Sequence, residues 1–228
     1  MNKALVALCA AGLLAGCSSG GGTTAQSAAQ STPPALENPT GFPLYSGAKV
    51  VSAKSYTQIV HADTSSENSV FAQGNGTYAG HEVVASSPAS FSALSTWLDG
   101  VNASPPAGFT AEEPQTNPDR EAQAQRYGLD YAVFKRKTGA QTRGVLVIVM
   151  DPQRVNQRFG TILGMIDKYK ALPSVLRGPI DDQAKARFGM TVTQATQPDS
   201  PIGAALAALG ELEHRNARGI VVLDALKQ

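Results

Sequence analysis

Gly144-Val145-Leu146-Val147-Ile148-Val149-Met150 is an unbroken apolar run. Side chains of a strand alternate between two faces, so a run that is apolar at every position belongs to a strand covered on both. The stretch therefore predicts the centre of a sheet. Tyr131 to Lys137 precedes it across a polar Thr138-Gly139-Ala140 turn, which suggests a hairpin. On its other side Asp151-Pro152 is a helix start, and Val155, Phe159, Ile162, Ile166 and Tyr169 trace one helical face up to Pro173. Gly160 and Gly164 read as close packing on the sheet or a kink. A shorter helix is expected from Pro179, with Ile180, Ala184 and Phe188 on one side and Gly189 ending it. Ser200-Pro201 opens a last helix with Ile202, Leu206, Leu209 and Leu212 inward, and Gly219 to Leu223 is a closing apolar strand. From Gly144 onward, strand, helix and final strand are compatible with a parallel crossover.

Toward the N-terminus, residues 102–125 are long, acidic and Pro-rich without an apolar period, and read as a surface loop or a lobe boundary. Before them Ser87 is expected to cap a helix with Pro88 in its first position, Phe91, Leu94, Leu98 and Val101 on one face, Trp97 beside that stripe and Gly100 as terminator. Gly74-Asn75-Gly76 between Asn68–Gln73 and Thr77–Ser86 is a hairpin signal, because Asn and Gly tolerate positive φ. Ala48 to Thr57, following Phe42-Pro43-Leu44-Tyr45, reads as the first strand. Together these elements predict an α+β class: an antiparallel or mixed sheet of about five to seven strands with amphipathic helices mainly on one face.

The chain has 228 residues and two cysteines, Cys9 and Cys17. A folded region of nearly two hundred residues can bury a sizeable core without disulfides. Basic and acidic residues nearly balance, which argues against general nucleic-acid binding. Their distribution is uneven. Glu37 to Gln125 holds three basic and nine acidic residues, whereas Arg126 to Arg187 holds twelve and five.

Lys3 followed by the uncharged run Ala4 to Leu14 has the layout of a secretory signal, and eleven apolar residues fall well short of the roughly 20 that a spanning helix needs. The run closes on Leu14-Ala15-Gly16-Cys17, which resembles the lipobox of bacterial lipoproteins. That resemblance implies cleavage before Cys17, a diacylglycerol thioether and often an N-acyl chain on that cysteine, and, with Ser18 following it, sorting to the outer membrane of a Gram-negative cell, facing the periplasm. Cys9 would leave with the signal, so no free thiol would remain. Ser18 to about Gly41 is small and polar with a Pro33-Pro34 pair, a flexible tether of roughly 25 to 30 Å root-mean-square span. The expected organisation is residues 1–16 signal, 17–41 lipidated cysteine and tether, and 42–228 one globular domain, with 102–125 either a surface loop or a lobe boundary inside it. Pro43-Leu44-Tyr45-Ser46-Gly47-Ala48 loosely resembles the P-x-Y-P-G-A opening of bacterial envelope domains, without its second proline.

Ser46-Gly47-Ala48-Lys49, Ser66-Glu67-Asn68 and Lys137-Thr138-Gly139 are similar in order to the S-x-x-K, S-x-N and K-T-G motifs of serine β-lactamases and penicillin-binding proteins. In that family the serine opens a buried helix and K-T-G lies on a strand beside the cleft. Here Ser46 precedes a strand, Lys137-Thr138-Gly139 falls at a hairpin tip, and the twenty residues between the first two motifs leave no room for a helical domain. The catalytic reading is set aside. His61, His81 and His214 lie at no metal-binding spacing, and in a strand His81 and Glu82 point to opposite faces, so no metal ligand set is expected. There is no phosphate-binding glycine loop and no nucleophile elbow, so no cofactor is expected. Asp181-Asp182 reads as first-turn carboxylates of the helix begun at Pro179.

The sequence thus points to a lipid-anchored envelope protein with Cys17 as lipid attachment site and a non-enzymatic binding or accessory domain; an envelope enzyme, hydrolase-like, is the alternative. The candidate surface for an anionic partner, whether lipid headgroup, cell-wall polymer or acidic protein face, is Lys135, Lys137, Arg143, Arg154 and Arg158. The first three belong to the central hairpin, while Arg154 and Arg158 share a helical face.

Overall fold

A computed structural model describes residues 36–60, 76–112, 120–139, 141–188, 191–197 and 201–227. Six strands form one antiparallel sheet: β1 (Lys49–Val60), β2 (Gly76–Ser87), β3 (Phe109–Ala111), β4 (Leu129–Thr138), β5 (Gln141–Met150) and β6 (Arg218–Lys227), in the order β1-β2-β6-β5-β4-β3. The α+β class is as expected. The crossover from β5 to β6 is not parallel: the two strands pair antiparallel, with Met150 opposite Gly219 and Arg143 opposite Leu226. β6, last in sequence, lies in the middle, between β2 and β5.

The apolar run does form a covered strand, since Val145 to Met150 are all buried. Its alternation divides the core in two. Leu146, Ile148 and Met150, with Val84, Val221 and Leu223, face helices α3 (Pro152–Ala171) and α6 (Pro201–His214) through Val155, Phe159, Leu163, Ala208, Leu209 and Leu212. Val145, Val147 and Val149, with Val83, Ile220 and Val222, face α1 (Phe91–Ala103) through Phe91, Leu94 and Leu98, with Phe42 and Phe134 in the same cluster. The two long helices thus share one face and α1 covers the other. α2 (Arg120–Tyr127) closes the flank, Ala124 reaching the α1 side and Tyr127 packing 5.5 Å from Phe159 on the α3 side.

Several elements depart from their sequence reading. α1 starts three residues later than expected: Ser90 is its cap, accepting from Ala93 N–H at 3.2 Å, whereas the buried Ser87 accepts from Ala89 N–H in the link. It also runs past Gly100 to Ala103. Within 102–125 lie β3 and α2, so strands before and after this segment share one sheet. β2 pairs with β1; residues 68–73, the other arm of the expected hairpin, lie outside the described residues. On α3 Leu163 is buried where Ile162 was expected inward, and Ile162 is exposed. α4 (Ser174–Phe188) begins before Pro179 instead of at it. Pro179 removes the amide that would bond the carbonyl of Val175, and Val175 is 78% exposed, so water can serve that carbonyl. Asp181 consequently sits mid-helix and accepts instead from the N–H and hydroxyl of Thr193 at 3.1 and 2.8 Å, at the start of the short α5 (Val192–Ala195).

The glycine at position 128 is required by geometry. Gly128, between α2 and β4, has φ +69°, and a β-carbon there would meet Cβ of Arg154 at 2.5 Å and the carbonyl oxygen of Asp151 at 3.0 Å. Its own carbonyl accepts from Asp151 N–H at 2.8 Å, tying the start of α3 to the α2–β4 turn.

Candidate functional site

Cys17 and the tether through residue 35 lie outside the described residues, as do His61 and Ser66-Glu67-Asn68. The five predicted basic residues are described, and they do not form one surface. The sheet register puts Met150 opposite Leu129 at one end and Lys137 opposite Thr142 at the other. Arg154 and Arg158 lie in the first turns of α3 at the Met150 end, and Lys135, Lys137 and Arg143 lie toward the hairpin tip, six to eight residues of strand, or about 20 to 25 Å, from Met150. Lys135 pairs with Glu112, an acid from the negative first part of the chain. Arg143 pairs with Asp224.

Arg154 and Arg158 do stand together, and with a third cation. Arg158 and Arg126 both lie over the Tyr127 ring, at 5.5 and 5.9 Å from its centroid, and Arg154 donates to the carbonyl and side-chain oxygens of Gln125 at 2.9 and 3.1 Å. Asp151, capping α3 through Gln153 and Arg154 N–H, holds Arg218 at 2.8 Å and lies 3.8 Å from Arg154 Nε. Among the described residues Arg126 and Arg158 have no carboxylate partner. A small polar cleft of about 180 Å³ opens beside Asp151, lined by Gln153, Asn156, Glu213, Asn216 and Arg218.

The most unusual chemistry was not predicted. Asp224 interrupts the apolar β6, and its side chain is 1% exposed. Arg143 Nη1 donates to Oδ2 at 2.5 Å; the backbone N–H of His81 donates to Oδ1 at 2.6 Å, and His81 Nδ1 lies 3.2 Å from the same atom. A carboxylate only accepts, so it is His81 Nδ1 that carries a proton toward Asp224. Because the His81 amide bonds the side chain, the carbonyl of Asp224 turns aside. It accepts from the Tyr56 hydroxyl at 2.5 Å and passes so close over Gly80 that any β-carbon there would overlap it. Burial, then the negative charges of Asp224 and Glu82, push the Tyr56 hydroxyl far above its ordinary pKa, so it stays a donor.

Ser55, His81 and Asp224 are register partners across β1, β2 and β6, so they stand in a row on one face. Acid–base catalysis needs a base, an orienting carboxylate and a group bonded to the base. The first two are present. Ser55 is exposed and, among the described residues, makes no hydrogen bond to His81. On the opposite face, next to this row, Glu82 is 4% exposed with Oε1 unpartnered; burial raises its pKa and Lys54, its register partner, opposes the rise. As expected of adjacent strand residues, His81 and Glu82 point apart. The sequence signal for this cluster was the polar interruption of apolar strands: the predicted last strand stopped at Leu223, one residue short of Asp224.

Ser46 lies in the turn before β1, and Lys49, opposite Ser86, sits at the Met150 end of the sheet, whereas Lys137-Thr138-Gly139 occupies the opposite end. The β-lactamase-like motifs therefore do not assemble. No group of three or more potential metal ligands occurs among the described residues, and none of their helices is long and apolar enough to cross a membrane. Comparison of the chain with protein-family models, with curated proteins and with solved structures gives no match.

Proposed function

We propose that this chain is a lipid-anchored protein of the bacterial cell envelope, held at the outer membrane by acyl chains on Cys17 and facing the periplasm, whose globular part is a non-enzymatic binding or accessory module. The observation that carries the reading is one of order along the chain. A single basic residue, eleven apolar residues and Leu14-Ala15-Gly16-Cys17 are followed by some two dozen small, polar residues before Phe42, the first large side chain among the described residues to be fully buried in the core. Several acyl chains on one cysteine anchor stably where one would not. The tether then gives the domain room to meet a partner above the bilayer. Internal pairing of the polar cluster supports a binding role over an enzymatic one: the carboxylate oxygens of Asp224 are taken up by Arg143 and His81, and among the described residues no group bonded to His81 could act as nucleophile. An anionic partner would meet Arg126, Arg154 and Arg158, the three cations that stand together.

Replacing Cys17 by Ala tests the anchor. The expected outcome is loss from the detergent-soluble membrane fraction, with the chain either soluble in the envelope or retained as uncleaved precursor. Normal processing and membrane retention of Cys17→Ala would sink the reading.

A further inference from the structure

Helix α4 is built the wrong way round for a helix that packs on a core. At 100° per residue, Val175, Leu176, Pro179, Ile180 and Ala186 fall within an arc of about 140°. All five are exposed, Val175 by 78% and Leu176 by 55%. The opposite arc carries Arg177, Asp181 and Ala184, which are half-buried and hold the helix to the domain: Arg177 lies 6.0 Å over Tyr169, and Asp181 is bonded to Thr193. The exposed arc is apolar apart from Gln183 and, by position, Arg187, while the charged Arg177 and Asp181 lie on the inward side. Met165 and Ile162, on the turns of α3 that lead into α4, are exposed as well. Five of the six large apolar side chains exposed among the described residues thus fall between 162 and 180.

We infer that α4 docks in the interfacial region of an anionic lipid bilayer, its apolar arc among the acyl chains. The inference rests on the anchored reading above, because a tether of roughly 25 to 30 Å keeps the domain within reach of the bilayer and makes even a weak contact populated. Charge selects the occupant. Between Ile162 and Arg187, the stretch that carries the exposed apolar side chains, there are five basic and three acidic residues, and Lys168 and Lys170 stand in the last turn before the α3–α4 link. A basic fringe around an apolar arc is the pattern of helices that lie in a membrane interface. A second copy of the chain would bring two such fringes face to face, where like charges repel.

The test uses the mature lipidated chain in liposomes containing brominated and anionic lipids. Cys17 is then acylated, so a single added thiol carries an environment-sensitive dye, at Leu176→Cys or, as reference, at Ser92→Cys, which is exposed on α1 across the sheet. The dye at 176 should be quenched severalfold more than the dye at 92, and the difference should shrink in zwitterionic liposomes or high salt. Equal quenching at the two positions overturns docking, whatever the state of Cys17. Dye protection at 176 that follows protein concentration and ignores brominated lipid assigns the arc to a second copy and also overturns it. If mass spectrometry finds Cys17 unmodified, the anchored reading fails by itself. A chain carrying Cys9→Ser and Cys17→Ser, so that the added thiol alone takes the dye, is then mixed with the same liposomes and tests docking unaided, by the same comparison of 176 with 92.

Discussion

Glu82 shows how a single residue sets a pH dependence for the whole fold. Its carboxyl is buried beside Leu223 with one oxygen unpartnered, and burial raises its pKa above that in the unfolded chain. The stabilising contribution of such a group is fully present below its unfolded pKa and is lost as pH rises through the folded one. Lys54 offsets part of this loss. Glu82→Gln, neutral at every pH, should therefore raise unfolding stability above pH 7 by on the order of 1 kcal/mol, with the gap closing below the ordinary carboxylate range. Urea unfolding from pH 4 to pH 8 checks it, and parallel curves for the two proteins would refute it. Asp224 is the contrasting case, equally buried but with both oxygens bonded. Neither carboxylate was legible from pattern alone. An acid inside a strand reads as a strand end or a surface position until the cross-strand partners, His81 and Arg143 for Asp224, are known, and those lie 143 and 81 residues away in sequence.

At the level of elements, existence and type were legible and faces were less so. β4, β5, α3 and β6 follow from apolar runs, turn residues and the Asp151-Pro152 start. Ile162, seven residues from Val155, and Leu163, four from Phe159, both fit a period of 3.6, and only packing against the sheet chooses Leu163. α4 teaches the same point: Ile180 and Ala184 share one side by periodicity, yet Ile180 is exposed and Ala184 half-buried, because a period reveals that a helix has two sides and not which side meets the domain. The link between α2, β4 and α3 gives a sharper test. Gly128→Ala combines a left-handed backbone, costing roughly 1 to 2 kcal/mol, with overlap on Arg154 and Asp151, and should cost about 2 to 4 kcal/mol in all. Gly47→Ala shares the positive φ, +83°, but has open space, and should cost only the backbone part. Equal loss in chemical denaturation at the two positions would show that the Gly128 turn is not packed as described.

For the molecule as a whole, the deciding feature is that β6 joins two partial sheets, β1–β2 on one side and β5–β4–β3 on the other. Its residues contribute to both core layers, Val221 and Leu223 to one and Ile220 and Val222 to the other. Ending the chain before Arg218 should therefore abolish cooperative unfolding altogether, not trim an edge, as thermal melts followed by circular dichroism would register. A truncated chain that still melts sharply would contradict this. Topology of this kind was beyond the sequence, because Gly219 to Leu223 announces a strand without naming its neighbours.

The position of β6 also sets a schedule. A ribosome makes this strand after every other strand of the sheet, and until it arrives β2 and β5 each display an open hydrogen-bonding edge backed by apolar side chains. The nascent chain can form hairpins but cannot close its core. On the exported reading proposed above, in which the chain threads through a translocon unfolded, late closure would keep it competent for that passage.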